Sequence, residues 1–188
     1  MVTGRTWTGR VFIGVSLDGF IARSDGDIGW LTDPPQGRAH AEISSSHVAQ
    51  SWDTFFPTID HLVMGRGTYE KVLTFDEWPF DGKAVIVFST TLPLHDERVI
   101  VARSLDDAVA TLDSRGARQV YVDGGRVIQT FLRSGLIDEI TLSWAPVLIG
   151  AGLRLFDALE SDVLMTLLAS DASADGMVHA TYRVEHAH

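Results

Sequence analysis

Five short apolar runs alternate with helix-period segments through most of the chain, and the last strand-like runs then follow one another without helices between them. "RVFIGVS", "HLVMG", "AVIVFS", "VIVA" and "QVYVDG" have the length and β-branched content of buried strands. "GFIA" adds a short strand after a turn. "TYEKVL", "SLDDAVATLDSRG" and "RVIQTFLRSG" repeat apolar residues at helical spacing, and "RAHAEISSSHVAQSW" is a further helix candidate. In the second of these, Ser104 is placed to cap, Asp107 follows three residues on and Gly116 closes the helix. "DEITLSWAPVLIG", "VLMTLLAS" and "MVHATYRVE" then read as consecutive strands. This order predicts an α/β fold with a mixed, mostly parallel central sheet. Antiparallel strands are added at its C-terminal edge, and helices cover both faces.

With 188 residues and no linker-like tract, one domain is expected. The net charge of -10 repels nucleic acid and anionic membranes, so a small-molecule partner is expected instead. The absence of cysteine excludes thiolate nucleophiles, disulfides and cysteine-ligated metals. No His cluster has metal-site spacing. The first ten residues lack the apolar stretch of a secretory signal, and no run is long enough to span a bilayer. A cytoplasmic location is expected.

Chemistry is concentrated where strands give way to helices. In "QVYVDGGRVIQTFL", Gly124 and Gly125 stand between an apolar run and a helix. A helix's first N–H groups lack intrahelical partners, and its dipole adds about half a positive charge there. Two residues without side chains let phosphate oxygens approach those amides. The same pair also suits a tight turn that binds nothing. "HLVMGRGTYEKV" repeats the arrangement with Gly65 and Gly67. Here Thr68 is expected at the helix N-cap, and Arg66 is able to grip a second phosphate. Ser89, Thr90 and Thr91 end a third strand. Three such junctions in one sheet point to a ligand with several phosphates across the strand ends. Asp18-Gly19 marks a turn, bracketed by Ile13, Val15, Phe20 and Ile21, which offer an apolar wall for a flat ring.

In this order, "SLDGFIA", "MGRGTYE", "IVFST", "VYVDGGRVIQTFL" and "GLIDEITLSWAPVLIGAGLRLF" resemble the dihydrofolate reductase-like family. The branch is the one related to the C-terminal reductase domain of riboflavin biosynthesis. The likeness runs from about Val11 to Phe156. It implies bound NADPH. Arg66, Ser89 and Thr90 would meet the 2′-phosphate. Gly65 and Thr68 would meet the pyrophosphate on one side, and Gly124, Gly125, Arg126 and Val127 on the other. Gly14, Ile21 and Ala22 would lie against the nicotinamide. A homodimer through the apolar C-terminal strands is also implied.

The chain departs from dihydrofolate reductase proper where that enzyme carries a substrate-pocket carboxylate. Pro35 stands at the matching position, with Asp33 and Glu42 nearby, which speaks against folate reduction. Asp18 is the polar candidate near the nicotinamide end. It can hold a substrate or a proton-donating water, or merely organise its turn. The expected activity is NADPH-dependent hydride transfer to a small pterin- or pyrimidine-like heterocycle. The alternatives are a non-catalytic NADP-binding protein and a 5-amino-6-(5-phosphoribosylamino)uracil reductase.

Overall fold

The computed structural model describes residues 4–33, 49–93 and 96–186. Its centre is an eight-stranded sheet in the order β5-β4-β3-β6-β1-β7-β10-β9. The strands are β1 Thr8–Ser16, β3 His61–Gly65, β4 Ala84–Phe88, β5 Val99–Ala102, β6 Gln119–Asp123, β7 Glu139–Ala145, β9 Met165–Ala172 and β10 Val178–Val184. The first six pair in parallel, and β10 and β9 add antiparallel strands beyond β7. A separate short pair joins β2 Phe20–Ala22 to β8 Leu153–Arg154.

Travel along the sheet reverses once. From β3 the chain moves out to β4 and β5; from β6 it moves the other way, past β1, to β7. Crossovers of one hand must then lie on opposite faces. The two cores show that they do. Helix α3 Arg66–Val72, after β3, sends Tyr69 and Val72 into a core with Phe55, Leu62, Met64, Val85, Val87 and Tyr121. Helices α4 Leu105–Ser114 and α5 Gly125–Arg133 pack on the other face, where Leu112, Ile128 and Phe131 meet Val11, Val63, Ile86 and Val122. Alternate residues of β3, β4 and β6 thus feed different cores, as the strand period of two requires.

Local chemistry explains the helix limits. The Ser104 hydroxyl accepts the Asp107 N–H at 3.1 Å at the start of α4. Helix α5 ends with the Leu136 N–H bonded to the Phe131 carbonyl. Two short helices, α1 Gly29–Thr32 and α2 Trp52–Phe55, flank the segment expected to be helical at 38–52. Most of that segment, with Pro35 and Glu42, lies outside the described residues. Strand β7 is shorter than its apolar run: it stops at Ala145, because Pro146 has no N–H for the ladder. At the far edge β9 leaves Leu167 and Leu168 exposed. Among the described residues no helix is long and apolar enough to cross a membrane.

Phe131 is fully buried between α5 and the sheet. Replacing it with Ala should cost about 3–5 kcal/mol in equilibrium denaturation; a loss under about 1 kcal/mol would show that α5 is not clamped to this core.

Candidate active site

The reversal of direction lies between β3 and β6, which pair directly. Ligands of open α/β sheets bind outside the strand ends at such a point. Helices α3 and α5 therefore begin side by side, one on each face. The contact is close. A Cβ on Gly124 would stand 2.6 Å from Thr68 Oγ1 and 3.7 Å from the Gly65 nitrogen. One on Gly65 would stand 3.3 Å from Val127 Cγ2, and one on Gly125 would stand 2.8 Å from Ile21 Cδ1. Gly124 also has φ +86°, a conformation that favours glycine. The structure thus brings together Ile21, Gly65, Thr68, Gly124, Gly125 and Val127, which are far apart in sequence. Arg126 is exposed on the first turn of α5, and the N–H groups of Gly125 and Arg126 have no carbonyl four residues back within the helix.

One expectation needs correction. Thr68 is not the N-cap of α3: the helix starts at Arg66, with extended Gly65 as its cap and no side-chain capping bond. Neither Gly65 nor Gly67 adopts positive φ, so nothing delays the helix to residue 68. Thr68 sits in the first turn, facing Gly124. Arg66 does not bond Ser89 or Thr90. Its Nη1 donates to Thr91 Oγ1 at 3.1 Å and its Nε to Glu70 at 2.6 Å. The Ser89 hydroxyl is used within its own turn, accepting the Thr91 and Leu92 N–H groups at 3.3 and 3.2 Å. Thr90 is exposed beside it.

Asp18 is engaged. It accepts from Ser16 Oγ at 2.6 Å and from the Gly150 and Ile149 N–H groups at 2.7 and 3.3 Å. The Ser16 hydroxyl, followed by the two amides, holds its carboxyl below the usual range, so Asp18 is an anion that ties the β1–β2 turn to the loop after β7. The space over Gly14 is filled by Leu31 of α1, 2.5 Å from where a Cβ would be. Ala22 is buried, its carbonyl pressed against Gly152.

The structure adds three groups that the sequence pattern did not reveal. Arg103 Nη1 donates to the Ser89 carbonyl at 2.9 Å, so a second guanidinium reaches the 89–91 turn. The Arg154 guanidinium lies 4.5 Å over the Phe20 ring, beside Asp18 and Gly19. Asp123 ends β6 immediately before the glycine pair. Burial pushes its carboxyl above the usual range, against the opposing pull of the Gly124 N–H at 2.7 Å. It shares a strand face with Tyr121, whose phenol burial and the Asp123 charge hold protonated and whose hydroxyl donates to the Phe12 carbonyl. The visible signal for Asp123 was a carboxylate inside an otherwise apolar run. A cavity of about 540 Å³ opens between the 25–27 loop and α3, lined by Asp25, Gly26, Asp27, Gly67, Glu70 and Lys71.

Parallel strands with two amide-rich helix starts at a topological switch define an α/β protein of the dihydrofolate reductase-like class. The sequence pattern of the RibD C-terminal domain matches residues 8–179, and the chain belongs to that family. It is 31% identical over 162 residues to the uncharacterized protein YwjB of Bacillus subtilis, covering 84% of this chain and 87% of that one. Its fold is similar to that of a putative riboflavin biosynthesis protein from Shewanella sp. PV-4, with TM-score 0.80 and 34% identity over 95% of this chain and 99% of the other. Dihydrofolate reductase from Enterococcus faecalis, solved with NADP(H), shares the fold at TM-score 0.65 and 15% identity, over 95% and 97% of the two chains.

The raised pKa of Asp123 makes stability depend on pH with a definite sign. A carboxyl whose folded pKa lies above its unfolded one stabilises the fold below the ordinary carboxylate range, and that stability is lost as pH rises through the raised value. As pH rises above about 4, the wild-type melting temperature should therefore fall relative to D123N; a constant gap would show that Asp123 is not perturbed.

Proposed function

We propose that this chain is an NADPH-dependent reductase of a small pyrimidine-like heterocycle. The observation that carries the reading is the meeting of the α3 and α5 starts at Thr68 and Gly124, with the half-buried Asp123 carboxyl next to them in the chain. The cradle fits a pyrophosphate, because side chains at 124 and 125 would collide with Thr68 and Ile21. Gly65, Thr68, Gly124, Gly125, Arg126 and Val127 would hold the pyrophosphate. Arg66, Thr91 and Arg103, with Ser89 and Thr90 forming the turn, would take the 2′-phosphate. Phosphate would have to draw Arg66 from Glu70, an exposed pair of small value. Ile21, Ala22 and Gly14 would support the nicotinamide, with Leu31 in contact.

NADPH supplies a hydride when bound. Hydride arrival at a C=N carbon leaves charge on the nitrogen, which requires a proton. Asp123 is the group suited to hold that proton, since burial favours its neutral form. Asp18 is suited to a structural role, because as an anion it fixes the turn that carries Ile21 and Ala22. The name of the Shewanella relative supports a riboflavin-pathway pyrimidine as the substrate to test first.

Incubation with NADPH and 5-amino-6-(5-phosphoribosylamino)uracil, followed by loss of reduced-nicotinamide absorbance, tests the activity. Oxidation above the no-substrate rate is expected, with D123N at least about a hundredfold slower. NADPH binding without oxidation across pterin and pyrimidine acceptors would favour a non-catalytic nucleotide-binding protein. Arg66→Ala should weaken NADPH by about ten- to hundredfold with little change for NADH; equal losses would remove Arg66 from the 2′-phosphate. Gly125→Val should abolish binding of both, and an unchanged dissociation constant would count against the pyrophosphate assignment.

A further inference from the structure

The ladder registers align Gly14 of β1, Ser143 of β7, His179 of β10 and Asp171 of β9 in one row. Ser143 and His179 share the sheet face of Phe12 and Tyr121, because the next pair along, Thr141 and Thr181, is joined by its hydroxyls and lies opposite Phe12. Asp123 occupies that same face on the other side of β1, two residues past Tyr121. The β1–β6 register sets Arg10 opposite Tyr121, which puts Asp123 level with Phe12, one same-face position before Gly14. A carboxyl on β6 and a serine–histidine pair on β7 and β10 therefore lie on either side of β1, diagonally offset, with the Leu31 side chain packed on Gly14.

The protons of this pair can be assigned. Ser173, in the β9–β10 hairpin, has one hydroxyl hydrogen and donates it to the Asp175 carboxylate. That acceptor outweighs the Met177 carbonyl at 3.4 Å, because the bond to a charged group is the stronger. The Ser173 oxygen is left to accept, so the His179 Nε2 at 3.3 Å carries the ring proton. In the neutral ring His179 Nδ1 is then a bare lone pair and accepts the Ser143 O–H at 2.8 Å. With its hydrogen committed, the Ser143 hydroxyl can only accept from a ligand. Ser143 is 4% exposed, so its other lone pair is not given to bulk water. Among the described residues, the charged groups around the imidazole are Asp175, reached through Ser173, and Asp171, its cross-strand neighbour, whose carboxylate accepts the Ala49 N–H.

We infer that Ser143, oriented by His179, is the acceptor that recognises an N–H-bearing edge of the heterocyclic substrate. The ligand class is an amino- or lactam-bearing ring, and His179 is a positioning residue that acts through Ser143. This rests on the reading of the crevice as a substrate site. It goes beyond that reading by fixing which edge of the ring faces β7. A ring that presents a carbonyl to Ser143 meets two opposed lone pairs and is disfavoured.

The probes are 5,6-diaminouracil and 1,3-dimethyluracil, which has no N–H, titrated into the full chain with and without NADPH. Wild type should prefer the diamino ring by up to about tenfold, the worth of one net hydrogen bond. Ser143→Ala should remove the preference, and so should His179→Leu, although the latter keeps Ser143. His179→Gln should restore it, because an amide oxygen can accept from Ser143 while its NH2 donates to Ser173. NADPH affinity should stay unchanged in Ser143→Ala, with the melting temperature lowered by the loss of the bond to His179. Retention of the preference in Ser143→Ala, equal loss in His179→Leu and His179→Gln, or no preference in wild type would each overturn the inference. Loss of NADPH binding with the preference intact would instead sink the cofactor reading alone.

Discussion

The pairing of β3 with β6 is the constraint on which the rest depends. It joins two strands whose outgoing connections run in opposite directions, so α3 and α5 start on opposite faces yet at the same point of the sheet edge. Each helix start carries unbonded amides and a partial positive charge. Their mutual approach is limited by Thr68 against Gly124 and Val127 against Gly65. Glycine at these positions follows from that approach. A methyl group at 124 would push against Thr68 and strain a φ of +86°, and the two corners would separate.

The opposite side of β1 shows a second device. Buried polar groups are costly unless paired, and on this face each described one is met. Thr141 bonds Thr181, Ser143 bonds His179, and Asp123 takes the Gly124 amide while burial favours its proton. Asp18 and Asp123 are driven apart by their surroundings. A hydroxyl and two amides hold one carboxyl below the usual range, and burial pushes the other above it. Under the proposed function, that opposite displacement suits one carboxyl to structure and the other to proton donation.

Much of this was legible in the residues. β-branched runs gave the strands, with β3 and β5 at their observed limits, because buried parallel strands read as continuous apolar segments. Both glycine junctions were legible for the same reason: little else accounts for small residues where a strand meets a helix. The cap of α3 was misread because a glycine pair looks like a break, whereas extended Gly65 caps the helix and Gly67 lies within it. Strand β8 was missed because two residues carry no period. Arg103, Asp123 and the Ser143–His179 pair escaped because their roles come from register between distant strands, which one sequence does not display.

The central claim is that two helix starts at one switch point hold the linked phosphates of a reduced nicotinamide dinucleotide. Calorimetric titration of NADPH into the purified chain tests it most directly. The account predicts an exothermic one-site isotherm with a dissociation constant on the order of micromolar. Absence of heat with either NADPH or NADP at millimolar concentrations would contradict it.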